Sequence, residues 1–153
     1  MLFRSNANFT AACVSSTKAI GEAAEAVRRG EADVMLAGGA HSMIHPFGIT
    51  GFHRLSTLST RNDHPERAAR PFDRDRDGFV VGEGGVVVVL EDLEHARHRR
   101  AEIWGEFTGW GCTHDAYLIT DLDPDARSAA QSIRLALADA GLQPEDKIGR
   151  AHV

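Results

Sequence analysis

The sequence predicts an α/β fold, in which helices and strands alternate along the chain. Small and apolar residues recur at helical spacing over Ala19–Val27, and the pattern stops at Gly30, a residue typical of helix ends. Short apolar runs at Asp33–Ala37 and Val86–Leu90 have the composition of strands. Because segments of the two kinds follow one another, we expect a sheet covered by helices rather than an all-helical or all-strand domain.

The first predicted helix follows Cys13 and carries Arg28 and Arg29 in its last turn, where cations favour the negative end of the helix dipole. The first strand, Asp33–Ala37, is expected to end at Gly38 and the glycine after it. The second, Val86–Leu90, is a continuous β-branched run of the kind that is buried on both faces. These two segments are predicted to be central strands of the sheet.

The remaining elements are predicted from charge and periodicity. Residues 92–100 form a charged surface helix and residues 103–109 a strand. A helix over residues 128–140 places Ile133 and Leu137 inward and ends at Gly141. Residues 60–77 are rich in charge and contain two prolines, which is typical of a surface loop.

Composition excludes several classes of protein. The chain has 153 residues, of which 42% are hydrophobic, and a net charge of −5 from 22 acidic and 17 basic residues, so nothing favours binding to nucleic acid or to an anionic membrane. Cys13 and Cys112 are far apart and form no disulfide framework, which fits a reducing compartment. There is no apolar run long enough for a membrane span and no signal peptide pattern. We therefore expect a soluble cytoplasmic protein.

Cys13 is the strongest candidate for a nucleophile. It lies where an apolar lead-in meets the start of the first helix, and the free N–H groups and positive dipole end of a helix stabilise a thiolate. Its neighbours are small, which leaves room for an acyl group. The alternative is a small buried core residue, since cysteine packs well among Ala, Val and Ser.

Three longer motifs follow Cys13 in order. They are Gly30–Ala40, Leu58–Asp63 and Arg70–Gly84. In sequence and spacing they resemble the β-ketoacyl-acyl-carrier-protein synthases, particularly the elongating type II enzymes and the related polyketide ketosynthases. The resemblance extends from Ala11 to Asp146.

This resemblance implies a thiolase-like αβαβα layered fold and a homodimer. Because synthases of this family are much longer, we expect residues 6–146 to be a partial synthase domain, comprising the end of its N-terminal half and the start of its C-terminal half. Residues 1–5 and 147–153 match what a sequencing adapter would encode, so we expect both ends to be non-native.

The resemblance also implies a reaction. Cys13 would accept an acyl group from acyl carrier protein, whose phosphopantetheine arm also presents the malonyl group, and decarboxylative Claisen condensation would give a 3-oxoacyl product in fatty acid biosynthesis. No cofactor and no metal are expected. The family's two catalytic histidines lie further along than this chain extends, and Ala151-His152 comes too early to be the first of them. We therefore expect the isolated chain to be inactive in condensation.

The same resemblance suggests residues that contact substrate. Met43, Gly48 and Phe52 align with the acyl pocket, although core packing explains them equally well. Asp115 and Thr120 belong to a loop at the mouth of the active site, where Thr120 would meet the pantetheine arm. Two positions depart from the family. Leu118 replaces the usual histidine of that loop, and Arg100 replaces a turn glycine.

Three other functions remain as alternatives. A polyketide ketosynthase domain shares nearly every motif, and a non-catalytic chain-length subunit would usually lack the cysteine. A calcium loop is suggested by Asp73, Asp75, Asp77 and Gly78, which occupy the first, third, fifth and sixth positions of an EF-hand. The twelfth position is a glycine where glutamate is required, so we interpret the aspartates as partners of the arginines at positions 70, 74 and 76. His41 and His45 are not expected to bind metal together, because the adjacent proline and glycines oppose a helix there.

Overall fold

A computed structural model of the chain describes residues 6–119 and 121–146. In this part of the chain, helices and strands alternate from α1 to α3, as expected for the α/β class, and a further helix follows α3 with no strand between them. They are α1 (Ser15–Arg28), β1 (Val34–His41), α2 (Pro46–Arg54), β2 (Gly84–Glu91), α3 (Leu93–His98) and α4 (Arg127–Ala140). Single 3-10 turns occupy Ala12–Val14, Pro65–Arg67 and Pro144–Asp146.

The chain divides into two compact units. The first unit contains the residues up to Leu36 and those from Val89 onward, and the second unit is Ala37–Val88. Helices α1, α3 and α4 belong to the first unit, and α2 belongs to the second. The boundary between the units crosses both strands of the sheet.

Strands β1 and β2 form a two-stranded antiparallel sheet. The amide of Asp92 donates to the carbonyl of Asp33 at 2.9 Å, which sets the register at one end of the pair. The predicted end of β1 at Gly38 is wrong, because the strand continues through both glycines to His41. A Cβ at Gly38 would collide with the Val86 carbonyl and lie 2.9 Å from the Val87 Cα, so glycine here permits close approach of the strands rather than ending one.

Strand β2 lies where the sequence predicted it, but its side chains are not buried on both faces. Val86, Val87 and Val89 are 69%, 67% and 58% exposed. The sheet has two strands within the described residues, so these side chains lack the flanking strands and covering layers that bury a central strand. The prediction of a central, buried strand is therefore wrong for this chain.

A charged pair links helices α1 and α4 of the first unit. Arg28 of α1 donates to Asp139 of α4 at 2.8 Å and to the carbonyl of Thr108 at 2.6 Å. Asp139 also accepts the Trp110 amide at 3.0 Å. The hydrogen bond from Arg28, followed by that from Trp110, lowers the pKa of the Asp139 carboxyl. The segment between the two helices is thus fixed to both of them.

This segment, residues 107–111, forms no strand. The predicted strand over residues 103–109 is wrong, because a strand needs a partner and here the Arg28 side chain takes the backbone carbonyl instead. Gly109 and Gly111 lie against the backbone of α4, where a Cβ would be 2.6 Å from the Ala136 carbonyl at the first of them. The Trp110 ring lies against Gly21 of α1.

Helix α4 confirms the predicted span and its glycine stop, but not its predicted inward face. Ile133 is 48% exposed, whereas Leu137 is half-buried. The face that meets the glycine segment carries Ser132 and Ala136. Small residues lie there because main chain packs directly on the helix and leaves no room for a large side chain.

The helices α1, α3 and α4 end in the same hydrogen-bonded pattern, with a residue of positive φ one or two positions after the last helical residue. That residue is Gly30 after α1 (φ +70°), Gly141 after α4 (φ +67°) and Arg100 after α3 (φ +58°). At α3 the amide of Arg100 donates to Arg97 and that of Ala101 to Ala96, which is the Schellman arrangement. Two of the three sites therefore have the residue that tolerates this backbone.

The predicted surface loop over residues 60–77 is confirmed. Arg70 lies 3.7 Å from Asp77, and Arg74 lies 3.4 Å from Asp75. The third arginine of the motif bonds a backbone carbonyl instead of a carboxylate. Asp77 also accepts the Ser59 hydroxyl at 2.8 Å, and that bond is the main cause of a lowered Asp77 pKa. The aspartates thus hold the loop together.

Candidate functional site

Cys13 lies in the 3-10 turn that leads directly into α1, and its side chain is exposed. The turn is closed by the Ser15 hydroxyl, which accepts the Ala11 amide at 2.8 Å and donates to the Ala12 carbonyl at 2.8 Å. The small residues around the cysteine allow this tight path. The thiol is therefore presented to solvent at the head of a helix, as the sequence predicted, and is not a buried core residue.

The residue before the cysteine has a strained backbone. Ala12 adopts φ +47°, in the left-handed region that costs a non-glycine residue on the order of 1–3 kcal/mol. Such strain often accompanies functional turns. Here the strained residue directly precedes Cys13, which lies two residues before α1 begins. The sequence did not predict this left-handed conformation, because alanine is not typical of left-handed turns.

The start of α1 favours an anion at this position. No side chain caps the N-terminus of α1 in the structure as described, although the Ser15 amide donates to the Ala12 carbonyl of the turn. The positive end of the α1 dipole therefore lies beside Cys13. Cys112 is also an exposed free thiol, but it lies outside any helix, next to Gly111. The helix start is thus what distinguishes the two thiols chemically.

The second unit brings two of the predicted pocket residues together on α2. Gly48 is buried, and a Cβ there would lie 3.1 Å from the Met43 side-chain Cε and would collide with the Met43 carbonyl. Phe52 is one turn further along α2, on the same face as Gly48, and is half-buried. His45 caps the helix by accepting the Gly48 amide at 3.1 Å. Met43 and Gly48 are thus in contact, and Phe52 lies on the same face of α2 as Gly48; we call these three residues the α2 cluster.

Glu83 contacts the loop that carries Met43, and sequence reasoning did not predict this contact. Its Oε1 accepts the Ser42 hydroxyl at 2.5 Å and the Ile44 amide at 3.2 Å. The Ser42 bond, then the Ile44 bond, lower the pKa of the Glu83 carboxyl. The available signal was its position between two glycines at the start of β2, but its partners are distant in sequence.

The first unit carries the loop that contains Asp115. Its carboxylate accepts the Asp123 amide at 3.0 Å, and this bond is the main cause of a lowered Asp115 pKa. Asp115 therefore closes its own loop, which presents Leu118 and Ile119 to solvent at 59% and 103% exposure. Thr120 lies outside the described residues, as does the rejected Ala151-His152 pair.

No group of three or more His, Cys, Asp or Glu side chains within residues 6–119 and 121–146 is arranged to hold a metal ion. The helices of that part of the chain include none with the length and hydropathy of a membrane span. Within the described residues, the candidate functional features are therefore the exposed Cys13 thiol at the helix start and the α2 cluster.

Comparison with known proteins gives a consistent result. Residues 5–96 match the family model of the β-ketoacyl synthase N-terminal domain. The chain is 46% identical over 140 residues to 3-oxoacyl-[acyl-carrier-protein] synthase 2 of Coxiella burnetii, covering 92% of this chain and 34% of that protein. It is 48% identical over 134 residues to the protein of the same name from Synechocystis, covering 88% and 32%. The chain thus spans about a third of the length of these relatives.

Solved structures agree with the sequence matches. A β-ketoacyl synthase from Burkholderia phymatum superposes with a TM-score of 0.80 at 44% identity, covering 85% of this chain and 31% of that one. A ketosynthase complex with its type II polyketide acyl-carrier protein and a bound hexaketide gives 0.83 at 40% identity, covering 87% and 33%. A ketosynthase with its chain length factor from Xenorhabdus doucetiae gives 0.74 at 28% identity, covering 91% and 31%.

Proposed function

Because the chain belongs to the β-ketoacyl synthase family, we propose that it is part of a 3-oxoacyl-[acyl-carrier-protein] synthase, an acyltransferase of fatty acid biosynthesis that works through an acyl-Cys13 intermediate. Its α/β elements superpose on part of the thiolase-like fold of ketosynthases. The observation that carries the proposal is the exposed thiol of Cys13 in a tight turn at the open N-terminus of α1.

The acylation step follows from that placement. The Cys13 thiolate attacks the thioester carbonyl carbon, a new carbon–sulfur bond forms, and the bond to the pantetheine sulfur breaks. The departing pantetheine thiolate takes up a proton. The thiolate is a better nucleophile than the thiol, and the positive end of the α1 dipole lies beside the sulfur during the attack. The product of this step is an S-acyl cysteine and a free carrier thiol.

The proposed second step is decarboxylative condensation. A carbanion formed by loss of carbon dioxide from malonyl carrier protein attacks the acyl-cysteine carbonyl, and the cysteine sulfur is released. The partner is an acyl carrier protein with phosphopantetheine-linked acyl and malonyl groups, a proposal supported by the ketosynthase relative bound to its carrier protein. A homodimer and a cytoplasmic location complete the proposal.

The contacts support distinct roles for the remaining candidate residues. Met43, Gly48 and Phe52 are proposed to line the acyl pocket, since Met43 touches Gly48 and Phe52 lies on the same face of α2 as Gly48. Asp115 and Thr120 are proposed to belong to the loop that meets the pantetheine arm. Asp115 would act by holding that loop closed through the Asp123 amide.

A second candidate function is a polyketide ketosynthase, favoured by the 40% identity to the polyketide enzyme over 87% of this chain. The first chemical step is the same, so the two differ in the acyl group that is accepted. A non-catalytic chain-length subunit is disfavoured because the nucleophilic cysteine is present at the helix start.

The test is covalent labelling of the purified chain with acyl-CoA thioesters, followed by mass spectrometry of the intact protein and its peptides. We expect one acyl adduct, located on Cys13 and lost in Cys13→Ala. Cys112→Ala is the matched control, because it removes the other exposed thiol and should leave the adduct unchanged. No adduct, or equal labelling of the two cysteines, would contradict the proposal.

A further inference from the structure

We infer that Glu83 is a positioning residue for the acyl-chain pocket, and that its carboxylate holds the loop carrying Met43 against helix α2. The inference rests on the proposed function, since it assigns the α2 cluster to the acyl chain. It adds a residue outside that cluster that determines the shape of the pocket, and therefore the chain length that fits.

The carboxylate bridges two segments that are far apart in sequence. Glu83 immediately precedes β2, whereas Ser42 and Ile44 follow β1, which pairs with β2. Oε1 of Glu83 accepts from the Ser42 hydroxyl at 2.5 Å and from the Ile44 amide at 3.2 Å. The two donors flank Met43 directly, so the loop is held on both sides of the residue that enters the cluster.

The loop then fixes Met43 on α2. The Met43 carbonyl accepts the His45 amide at 2.9 Å, which turns the chain into the helix. The Met43 carbonyl and Cε both lie in the space that a Cβ at Gly48 would need. Met43 therefore closes the helix surface at Gly48, and a shift of the loop would reopen that space.

The Glu83 side chain makes this connection without help from its neighbours. Gly82 and Gly84 have open space within 4 Å of where a Cβ would lie, so they offer no competing side-chain contact. A hydrogen bond to a charged acceptor is roughly twice as strong as one between neutral groups. Because one oxygen accepts both bonds, a carboxamide oxygen at the same place can replace it geometrically.

The experiment compares acylation of Cys13 by hexanoyl-CoA and by myristoyl-CoA, measured as initial rates by mass spectrometry. The variants are Glu83→Ala, Glu83→Gln, Met43→Ala and the Glu83→Ala/Met43→Ala double variant. Glu66→Ala is the matched control, because Glu66 is an exposed glutamate of the same unit and its carboxylate lies 3.4 Å from the neighbouring His64 rather than against the Met43 loop.

In Glu83→Ala, we expect the ratio of myristoyl to hexanoyl acylation to rise about fourfold for each methylene group that the released space admits. Glu83→Gln and Glu66→Ala should keep the wild-type ratio. Met43→Ala should raise it as well, and adding Glu83→Ala to Met43→Ala should change nothing further, because Glu83 acts through Met43. If Glu83 had a purely structural role, Glu83→Ala would lower the hexanoyl and myristoyl acylation rates equally and leave their ratio unchanged.

An unchanged ratio in an acylated Glu83→Ala protein, or independent effects in the double variant, would overturn the inference. If Glu83→Ala does not fold, Ser42→Ala removes one of the two donors, and its ratio must shift in the same direction. If the wild-type chain takes no acyl group on Cys13, the proposed function fails. Amide hydrogen exchange then decides, because Glu83→Ala must speed exchange at both Ile44 and Gly48.

Discussion

Replacing Arg100 with glycine should stabilise the protein. Arg100 follows the C-cap of α3 with φ +58°, and the hydrogen bonds of Arg100 and Ala101 close the Schellman arrangement around it. At the equivalent position after α1, the chain has Gly30 with φ +70°. The two sites have the same left-handed backbone conformation but different side chains, so substitutions at one site can be compared with the reciprocal substitution at the other.

The magnitude follows from the backbone conformation. A Cβ in the left-handed region costs about 1–2 kcal/mol, which glycine removes. Glycine also makes the unfolded chain more flexible, which costs about 0.5–1 kcal/mol. The expected net gain in unfolding free energy for Arg100→Gly is about 1 kcal/mol. For a chain of 153 residues this corresponds to a rise in Tm of about 3 °C.

The assay is urea unfolding followed by circular dichroism, with thermal unfolding as a second measurement. Arg100→Ala is the control, because it removes the arginine side chain but keeps the Cβ, and it should give little gain. The reciprocal change Gly30→Arg should lose about as much as Arg100→Gly gains. If Arg100→Ala were as stabilising as Arg100→Gly, the side chain and not the backbone would be the cause, and the reasoning would be refuted.

Two further predictions concern packing and pH. Gly21→Ala should lower the unfolding free energy by about 1–3 kcal/mol despite the better helix propensity of alanine, because the new Cβ meets the Trp110 ring. Gly51→Ala in α2 is the control, because nothing lies within 4 Å of its new Cβ. In the same denaturation assay this variant should raise the unfolding free energy by up to about 1 kcal/mol. Glu91 is held by Arg99 and then by the histidine one turn along, which lower its pKa from 4.5 to about 2, so its stabilising contribution is present above pH 4.5 and is lost as pH falls toward about 2. Unfolding of Glu91→Gln between these pH values should show less of this loss than the wild type, and equal pH dependence would contradict the assignment.

Local patterns in the sequence predicted the elements whose signals are local. The helix after Cys13 and its stop at Gly30 were both predicted, because spacing and capping are readable within a few residues. Strand β2 was placed correctly for the same reason. Its burial was not, since exposure depends on neighbours that the composition of Val86–Leu90 cannot specify. The predicted strand at residues 103–109 failed because a strand requires a partner elsewhere in the chain.

In the candidate site too, features with a local signal were predicted, whereas contacts between residues distant in sequence were missed. The position of Cys13 at a helix start follows from local spacing, whereas the grouping of Met43 with Gly48 came only from the family resemblance. Glu83 was missed because its two donors lie about forty positions earlier in the sequence, and no periodicity connects them. The strain at Ala12 was also missed, because alanine gives no local signal of a left-handed backbone.

The alternation of Gly109, Trp110 and Gly111 has a consequence for how the chain tolerates changes of length. One side of this segment offers bare main chain to α4, and the other offers an indole ring to α1. Sliding the segment by a single residue would exchange the two sides and drive the indole into a helix surface that admits no side chain. The register of this segment is therefore fixed as firmly as that of a β-strand in a sheet, although the segment forms no strand. Insertions and deletions should be tolerated before Phe107, ahead of the carbonyls that Arg28 holds, and should destabilise the protein between the two glycines.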